Sequence, residues 1–156
     1  MNKRKQTKVT LGILLTLLIG GVVTRVYSHC QIPCGIYDDP ARLKMIDEHI
    51  TTIEKSMKQM TELSQSEPVN MNQIVRWVNN KEHHADELSE IVTYYFMAQR
   101  IKPAAPDSAE YKGYIRQLTL LHEMLVTSMK CKQTVDLAEV EKLKVLLKEF
   151  SAAYQK

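Results

Sequence analysis

Four segments of this chain place apolar side chains three or four residues apart, and this spacing constrains the fold more than any other feature. The first segment shows it most clearly, at Ile46, Ile50, Ile53, Met57 and Met60. An α-helix brings residues three and four apart onto one face, so each segment predicts an amphipathic helix. Stripes of this kind bury one another, and we expect the Met, Leu and Ile side chains to form a common core.

Short polar breaks separate the four segments. The first helix should begin near Asp39 and end in the stretch SQSEPVN, and the second should run from about Val69 to Arg100. The stretches IKPAAPDSAE and CKQTVD precede the third and fourth helices. Two pairs have the spacing of a capping box, Asp107 with Glu110 and Asp136 with Glu139. Four helices with short loops predict an all-α fold, an up-down-up-down four-helix bundle.

The first 28 residues have the pattern of an export signal. The basic start MNKRKQTK is followed by fifteen uncharged residues, VTLGILLTLLIGGVV. Val26 and Ser28 suit positions −3 and −1 of a cleavage site, which puts the cut before His29. Because the apolar run is shorter than the roughly 20 residues of a spanning helix, we expect a cleaved leader, with a retained membrane anchor as the alternative.

The positive net charge belongs to this leader. Without the five basic residues of positions 1–28, sixteen basic and eighteen acidic side chains remain, a net charge of about −2. No basic stripe is left in the rest of the chain, so we expect no nucleic-acid partner.

Two of the three cysteines, Cys30 and Cys34, follow the leader directly. A cut before His29 would free an α-amine beside an imidazole, two thiolates and the Cys30 backbone nitrogen. Nitrogen and sulfur donors in one plane suit nickel(II) or copper(II) better than zinc, which prefers a tetrahedron. Pro33 would tighten the loop between the thiolates, and Gly35 permits a turn with positive φ.

Other uses of these thiols stay open at this point. Exported cysteines commonly form disulfides, here between Cys30 and Cys34. Half of a zinc site is a further use, although the spacing of the remaining histidines shows no matching half: His49, His83, His84 and His122.

The segment of residues 29–37, called the hook here, resembles the nickel hook of the nickel superoxide dismutases. The shared motif is H-C-x-x-P-C-G-x-Y, at His29, Cys30, Pro33, Cys34, Gly35 and Tyr37. A weaker similarity extends over the four helices and includes the YYF stretch at 94–96. The resemblance thus divides the chain into a leader, 1–28, and a nickel superoxide dismutase bundle, 29–156.

The resemblance implies one nickel per chain and a homohexamer. It implies that the metal is held by the amine of His29, the backbone nitrogen of Cys30 and the thiolates of Cys30 and Cys34, with the His29 imidazole as axial ligand. It implies that Tyr37 is the active-site tyrosine and that Tyr95 is a second tyrosine near it. The expected reaction converts superoxide to dioxygen and hydrogen peroxide by one-electron Ni(II)/Ni(III) cycling.

Some positions depart from the family pattern. The family often has an acid where this chain has Gln31, and it places a carboxylate and an arginine around the axial imidazole. The nearest carboxylates here are Asp47 and Glu48, and His84 falls at the place of the arginine. Many relatives are processed in the cytoplasm, whereas this leader predicts an exported protein, periplasmic or extracellular. The competing hypothesis is a membrane-anchored helical interaction module whose loop is closed by a disulfide.

Overall fold

The computed structural model describes residues 32–154 and divides the chain into two units, Met1–Ile32 and Pro33–Lys156. Within the second unit, the described residues form four α-helices and no strand. These are α1 (Asp39–Ser64), α2 (Met71–Glu90), α3 (Tyr111–Gln133) and α4 (Leu137–Tyr154), and α2 continues into a π-helix at Ile91–Arg100, called the π segment here.

Contacts between side chains show that successive helices are antiparallel. Asp39 contacts Arg100, and, farther along α1, Ser56 contacts Asn80. The same reversal relates α3 to α4, where Gln117 donates to Ala153 and Lys130 pairs with Glu139. The last helix also packs against α1, since Lys144 pairs with Glu54 and Tyr154 reaches Asp39. The predicted all-α, up-down-up-down bundle is therefore confirmed.

Side chains that cap the helices explain where most of them begin. Asp38 accepts from the Ala41 amide at 3.0 Å, Asn70 from Gln73 at 3.2 Å and Asp136 from Ala138 at 2.9 Å. Each satisfies an amide that the first turn of a helix leaves unpaired. The expected cap at Asp107 is wrong, because α3 begins at Tyr111, after Glu110, and no side chain caps it.

The core contains most of the apolar stripe predicted for α1, whose last member, Met60, is only partly buried. Ile46, Ile50, Ile53 and Met57 of α1 are fully buried. An aromatic cluster joins the π segment to α4, with ring centroids 5.0 Å apart for Phe96 and Phe150 and 5.5 Å for Phe96 and Tyr154. Edge-to-face rings of this kind add about 0.5–1.5 kcal/mol each beyond their burial. The end of α4 is thereby fixed against the π segment.

The second predicted helix has the expected extent, but its last ten residues are π-helical. A π-helix bonds each N–H to the carbonyl five residues earlier. The Ile101 amide continues this pattern to the Phe96 carbonyl at 2.9 Å. Residues five apart therefore lie close to one another across a turn, whereas in an α-helix they are about 1.4 turns apart.

A buried lysine closes the end of α3. The Lys81 side chain is nearly fully buried, and its ammonium donates to the carbonyls of Lys132 at 2.6 Å and Thr134 at 3.0 Å. These carbonyls lie where the helix runs out of amide donors, and a positive charge is favourable there. Burial lowers the pKa of Lys81, so its hydrogen bonds must offset this cost.

We expect Lys81→Met to lower the free energy of unfolding by about 1–3 kcal/mol, because two partly buried carbonyls lose their donor. Lys130→Met is the matched control, since Lys130 is half exposed and pairs with Glu139 across 3.5 Å. Its loss should be at most about 1 kcal/mol. Urea unfolding at pH 7 measures both values, and equal stability of the two variants would contradict the role of Lys81.

Candidate metal centre

The described part of the hook is a turn that presents a cysteine. The Ile36 amide donates to the Pro33 carbonyl at 2.7 Å. Gly35 has a φ of +81°, the positive value that a glycine in this turn was expected to permit. Cys34 is exposed in this turn and carries a free thiol. His29 and Cys30, the other predicted ligands, lie outside the described residues. Cys34 is therefore the one predicted ligand whose surroundings can be stated.

Tyr37 follows the turn and lies against the π segment. Its ring meets Tyr95 edge-on, with centroids 5.9 Å apart. The guanidinium of Arg100 lies over its face, 4.3 Å from the ring centroid, and its hydroxyl is 3.5 Å from Gln99 Oε1. The structure thus brings the two predicted tyrosines together. The exposed fraction of Tyr37 is 39%, so its ring remains open to solvent on one side.

The carboxylate of Asp39 holds this region together. Arg100 donates to it twice, from Nε to Oδ1 at 2.8 Å and from Nη2 to Oδ2 at 2.7 Å. Tyr95 donates to Oδ1 at 2.6 Å, and Tyr154 donates to Oδ2 at 2.8 Å. We call these four residues the Asp39 network. It ties the start of α1 to the π segment and to the end of α4.

The π segment explains how Tyr95 and Arg100 reach one carboxylate. The two residues are five apart, which the i→i+5 pattern brings together on one side of the helix. The same spacing relates Gln99 to Tyr94, whose carbonyl accepts from Gln99 Nε2 at 2.8 Å. This bond holds the Gln99 amide beside Tyr37.

The network changes the pKa values of its members in the directions its hydrogen bonds require. The bonds from Arg100, Tyr95 and Tyr154 hold the pKa of Asp39 at about 2. Burial and the bond to Asp39 raise the pKa of Tyr95 to about 12, and they raise the pKa of Tyr154 as well. At neutral pH the network therefore consists of a carboxylate, a guanidinium and two neutral phenols.

A second arginine, Arg42, contacts the tyrosine pair at Tyr95. Its guanidinium is 5.1 Å from the ring centroid of Tyr95, and Nη1 is 3.7 Å from the sulfur of Met45. The charge of Arg100 is balanced by Asp39, whereas no carboxylate among residues 32–154 pairs with Arg42.

The structure shows the environments of Asp47, Glu48 and His84, the residues that the sequence offered for the surroundings of the axial imidazole. Asp47 and Glu48 are exposed, and Glu48 pairs with Lys44 at 3.6 Å. His84 instead contacts His49, with the two Nδ1 atoms 2.8 Å apart. Burial lowers the pKa of both rings, which favours a neutral pair in which one Nδ1–H donates to the other. The sequence showed no reason to join two histidines 35 residues apart.

The described residues do not hold a metal by themselves. No group of three or more His, Cys, Asp or Glu side chains in the 32–154 range has a suitable arrangement. The remaining cysteine, Cys131, is buried, and burial raises the pKa of its thiol to about 11. It is a neutral thiol at pH 7 and a poor metal ligand. Within the described residues, the predicted ligand is therefore Cys34.

Comparison with known proteins gives one match. A family model described as nickel-containing superoxide dismutase matches residues 24–156. The searches of curated proteins and of solved structures found no match. The matched range includes the whole hook and all four helices.

The Asp39 network predicts how stability depends on pH. A carboxyl whose pKa falls from 3.8 to about 2 on folding contributes about 2 kcal/mol, present above pH 4 and lost as the pH falls through 2. Asp39→Asn should therefore destabilise the protein by about 2 kcal/mol at pH 7, and the difference from wild type should shrink between pH 4 and pH 2. Denaturant unfolding across this range measures it. A difference that does not change with pH would contradict the assignment.

Proposed function

The chain belongs to the family of nickel-containing superoxide dismutases, and from that premise we propose that its nickel is held by the hook through His29, Cys30 and Cys34. The protein is an oxidoreductase with a nickel cofactor, and its substrate is superoxide. The observation that supports the ligand set is the exposed Cys34 thiol, three residues before Tyr37 in a motif that begins with His29 and Cys30. The family match favours the enzyme over the alternative of an interaction module.

The proposal requires that the mature chain begin at His29. Only then is the α-amine of His29 free to bind the metal. The deprotonated backbone nitrogen of Cys30 and the thiolates of Cys30 and Cys34 would complete the ligand set. The leader of residues 1–28 supports such a cut, and with it export to the periplasm or the exterior of the cell. No helix within the described residues is long and apolar enough to cross a membrane. We further propose the homohexamer that the family resemblance implies.

The donors fit nickel by their chemistry. Cys34 is accessible, and the turn around Gly35 leaves open space where a larger residue would place a Cβ. Thiolate and amide donors are electron-rich and suit a planar nickel centre better than a tetrahedral zinc site. Cys131 is buried and neutral, which leaves Cys30 and Cys34 as the cysteines available to bind a metal.

Bound nickel would supply one-electron chemistry, through Ni(II) and Ni(III), so that one superoxide leaves as dioxygen and a second becomes hydrogen peroxide. The second half-reaction consumes two protons. Tyr37 offers a phenolic proton at the base of the hook, and its long contact to Gln99 leaves the hydroxyl able to bond water or a small anion. We propose Tyr37 as the catalytic tyrosine. We propose that Tyr95, the second site tyrosine, acts by supporting Tyr37, because its own hydroxyl is occupied by Asp39.

We propose that Arg42 attracts superoxide to this region. The substrate is an anion, and an unbalanced positive charge near a site raises its rate of capture. Arg42 lies against Tyr95, next to Tyr37, and its charge is not neutralised within the described part of the chain.

Nickel content tests the ligand set. Cys30→Ser and Cys34→Ser should each lose nickel and nickel-dependent activity, because serine does not provide a thiolate. Cys131→Ala, the matched control, should keep about one nickel per chain. Elemental analysis and a superoxide assay measure both quantities, and an active, nickel-loaded Cys34→Ser protein would refute the proposed ligands.

N-terminal sequencing of the purified mature protein completes this test. It should read His-Cys-Gln-Ile-Pro-Cys. A chain that retains residues upstream of His29 and is nevertheless active would show that the amine is not a ligand.

The role of Arg42 predicts a salt-dependent rate. Arg42→Gln should lower the second-order rate constant for superoxide about twofold to fivefold at low ionic strength. The loss should shrink as salt rises toward 0.15 M, where the Debye length is about 8 Å. Arg42→Lys should retain most of the effect. Pulse radiolysis at several ionic strengths provides the rates.

Lys58→Gln is the control for Arg42. It removes one positive charge from the same helix, about 24 Å away along its axis, where Lys58 pairs with Glu54. Its rate constant should match wild type at every ionic strength. Equal losses in the two variants would show that net charge, rather than Arg42, controls the capture of superoxide.

A further inference from the structure

We propose that Arg100 is a positioning residue, which fixes the phenol ring of Tyr37 at the end of the hook, while Asp39 fixes Arg100. The inference rests on the proposed function in one respect, the catalytic role of Tyr37. It adds a residue that lies 63 positions along the chain from Tyr37 and outside the hook motif.

The orientation of Arg100 is determined by two hydrogen bonds. Its Nε and Nη2 bond the two oxygens of Asp39, a fork geometry that leaves the guanidinium plane little freedom. Tyr95 and Tyr154 hold the same carboxylate from other sides. The plane that covers Tyr37 is thus supported by three elements of the bundle.

The contacts that hold the Tyr37 side chain come from the π segment. Arg100 covers the ring face, Tyr95 packs against it edge-on, and Gln99 accepts from its hydroxyl. A partly exposed tyrosine without these contacts could turn about its side-chain torsions. The π segment therefore restricts the orientation of the Tyr37 side chain. Such π-helical turns are frequent at functional sites.

The charge of Arg100 is not the property that this role needs. Asp39 balances it at close range, so it contributes little long-range attraction for an anion. What matters is a flat, fixed group above the ring, which a lysine cannot provide because its ammonium has no plane and bonds a carboxylate at one point. This property separates the role of Arg100 from that of Arg42.

The test compares nickel-loaded, mature proteins in two backgrounds, wild type and Tyr37→Phe. Arg100→Gln should lower the rate constant for superoxide about 10-fold with nickel content unchanged, because a misplaced group near the reacting centre costs rate rather than metal. Arg100→Lys should resemble Arg100→Gln. In the Tyr37→Phe background either change should cost less than about twofold, since coupled residues are not additive.

Two further variants keep the result clear. Arg116→Gln removes an arginine–carboxylate pair of the same chemistry, the pair with Glu149 that joins α3 to α4, and it should keep the wild-type rate. Where Arg100→Gln alone does not fold, Asp39→Asn with Arg100→Gln removes both charges and leaves none buried without a partner. That pair should show the same dependence on Tyr37.

Three results would overturn the inference, each for a different reason. If Arg100→Lys keeps the wild-type rate, charge suffices and the positioning role is overturned. If the loss on removing Arg100 is the same with and without the Tyr37 hydroxyl, Arg100 does not act through Tyr37 and the inference is again overturned. If Tyr37→Phe is fully active while Cys34→Ser is not, the nickel hook stands but Tyr37 is not catalytic, and the inference falls with that role.

Discussion

The hydrogen bonds to the carboxylate of Asp39 are the interactions on which the arrangement around Tyr37 depends. It accepts four hydrogen bonds, two from Arg100 and one each from Tyr95 and Tyr154. These donors belong to the π segment and to the end of α4, while Asp39 itself is the first residue of α1. Hydrogen bonds to an ionised acceptor are stronger than the same number of hydrogen bonds between neutral groups. The place where the hook leaves the bundle is therefore set by one ionised side chain.

The two arginines near the tyrosine pair show how one residue type can serve two purposes. Arg100 is bonded to a carboxylate on both of its oxygens, so its field is cancelled at short range and its geometry is fixed. Arg42 contacts a ring and a sulfur, neither of which cancels its charge. The first arrangement orients a neighbour, and the second leaves a positive potential. Orientation and attraction are separate contributions to the rate of an enzyme that acts on a small anion.

The sequence was sufficient for the bundle because each helix buries a stripe that is visible in its own residues. It was not sufficient for the π segment, since the buried residues Ile91, Val92, Tyr95 and Phe96 fit an α-helical stripe equally well. The Asp39 network joins residues 56 to 115 positions apart, which no local pattern encodes. One signal was present at Asp38-Asp39-Pro40, because a helix start needs only one capping aspartate and the second is free for another use. The burial of Lys81 could not be predicted either, because a lysine between polar neighbours is typical of an exposed helix face.

The short distance along the chain between Cys34 and Tyr37 links the hook to the bundle. Three residues span at most about 11 Å when fully extended, and the hydrogen bond from Ile36 to Pro33 shortens the path by making a turn. Any metal on the Cys34 thiolate must therefore lie near Tyr37, whatever path the preceding residues take. Tyr37 is in turn held by the π segment, and the π segment by Asp39. If nickel binds at Cys34 as proposed, Tyr37 and the π segment would give it a fixed protein environment.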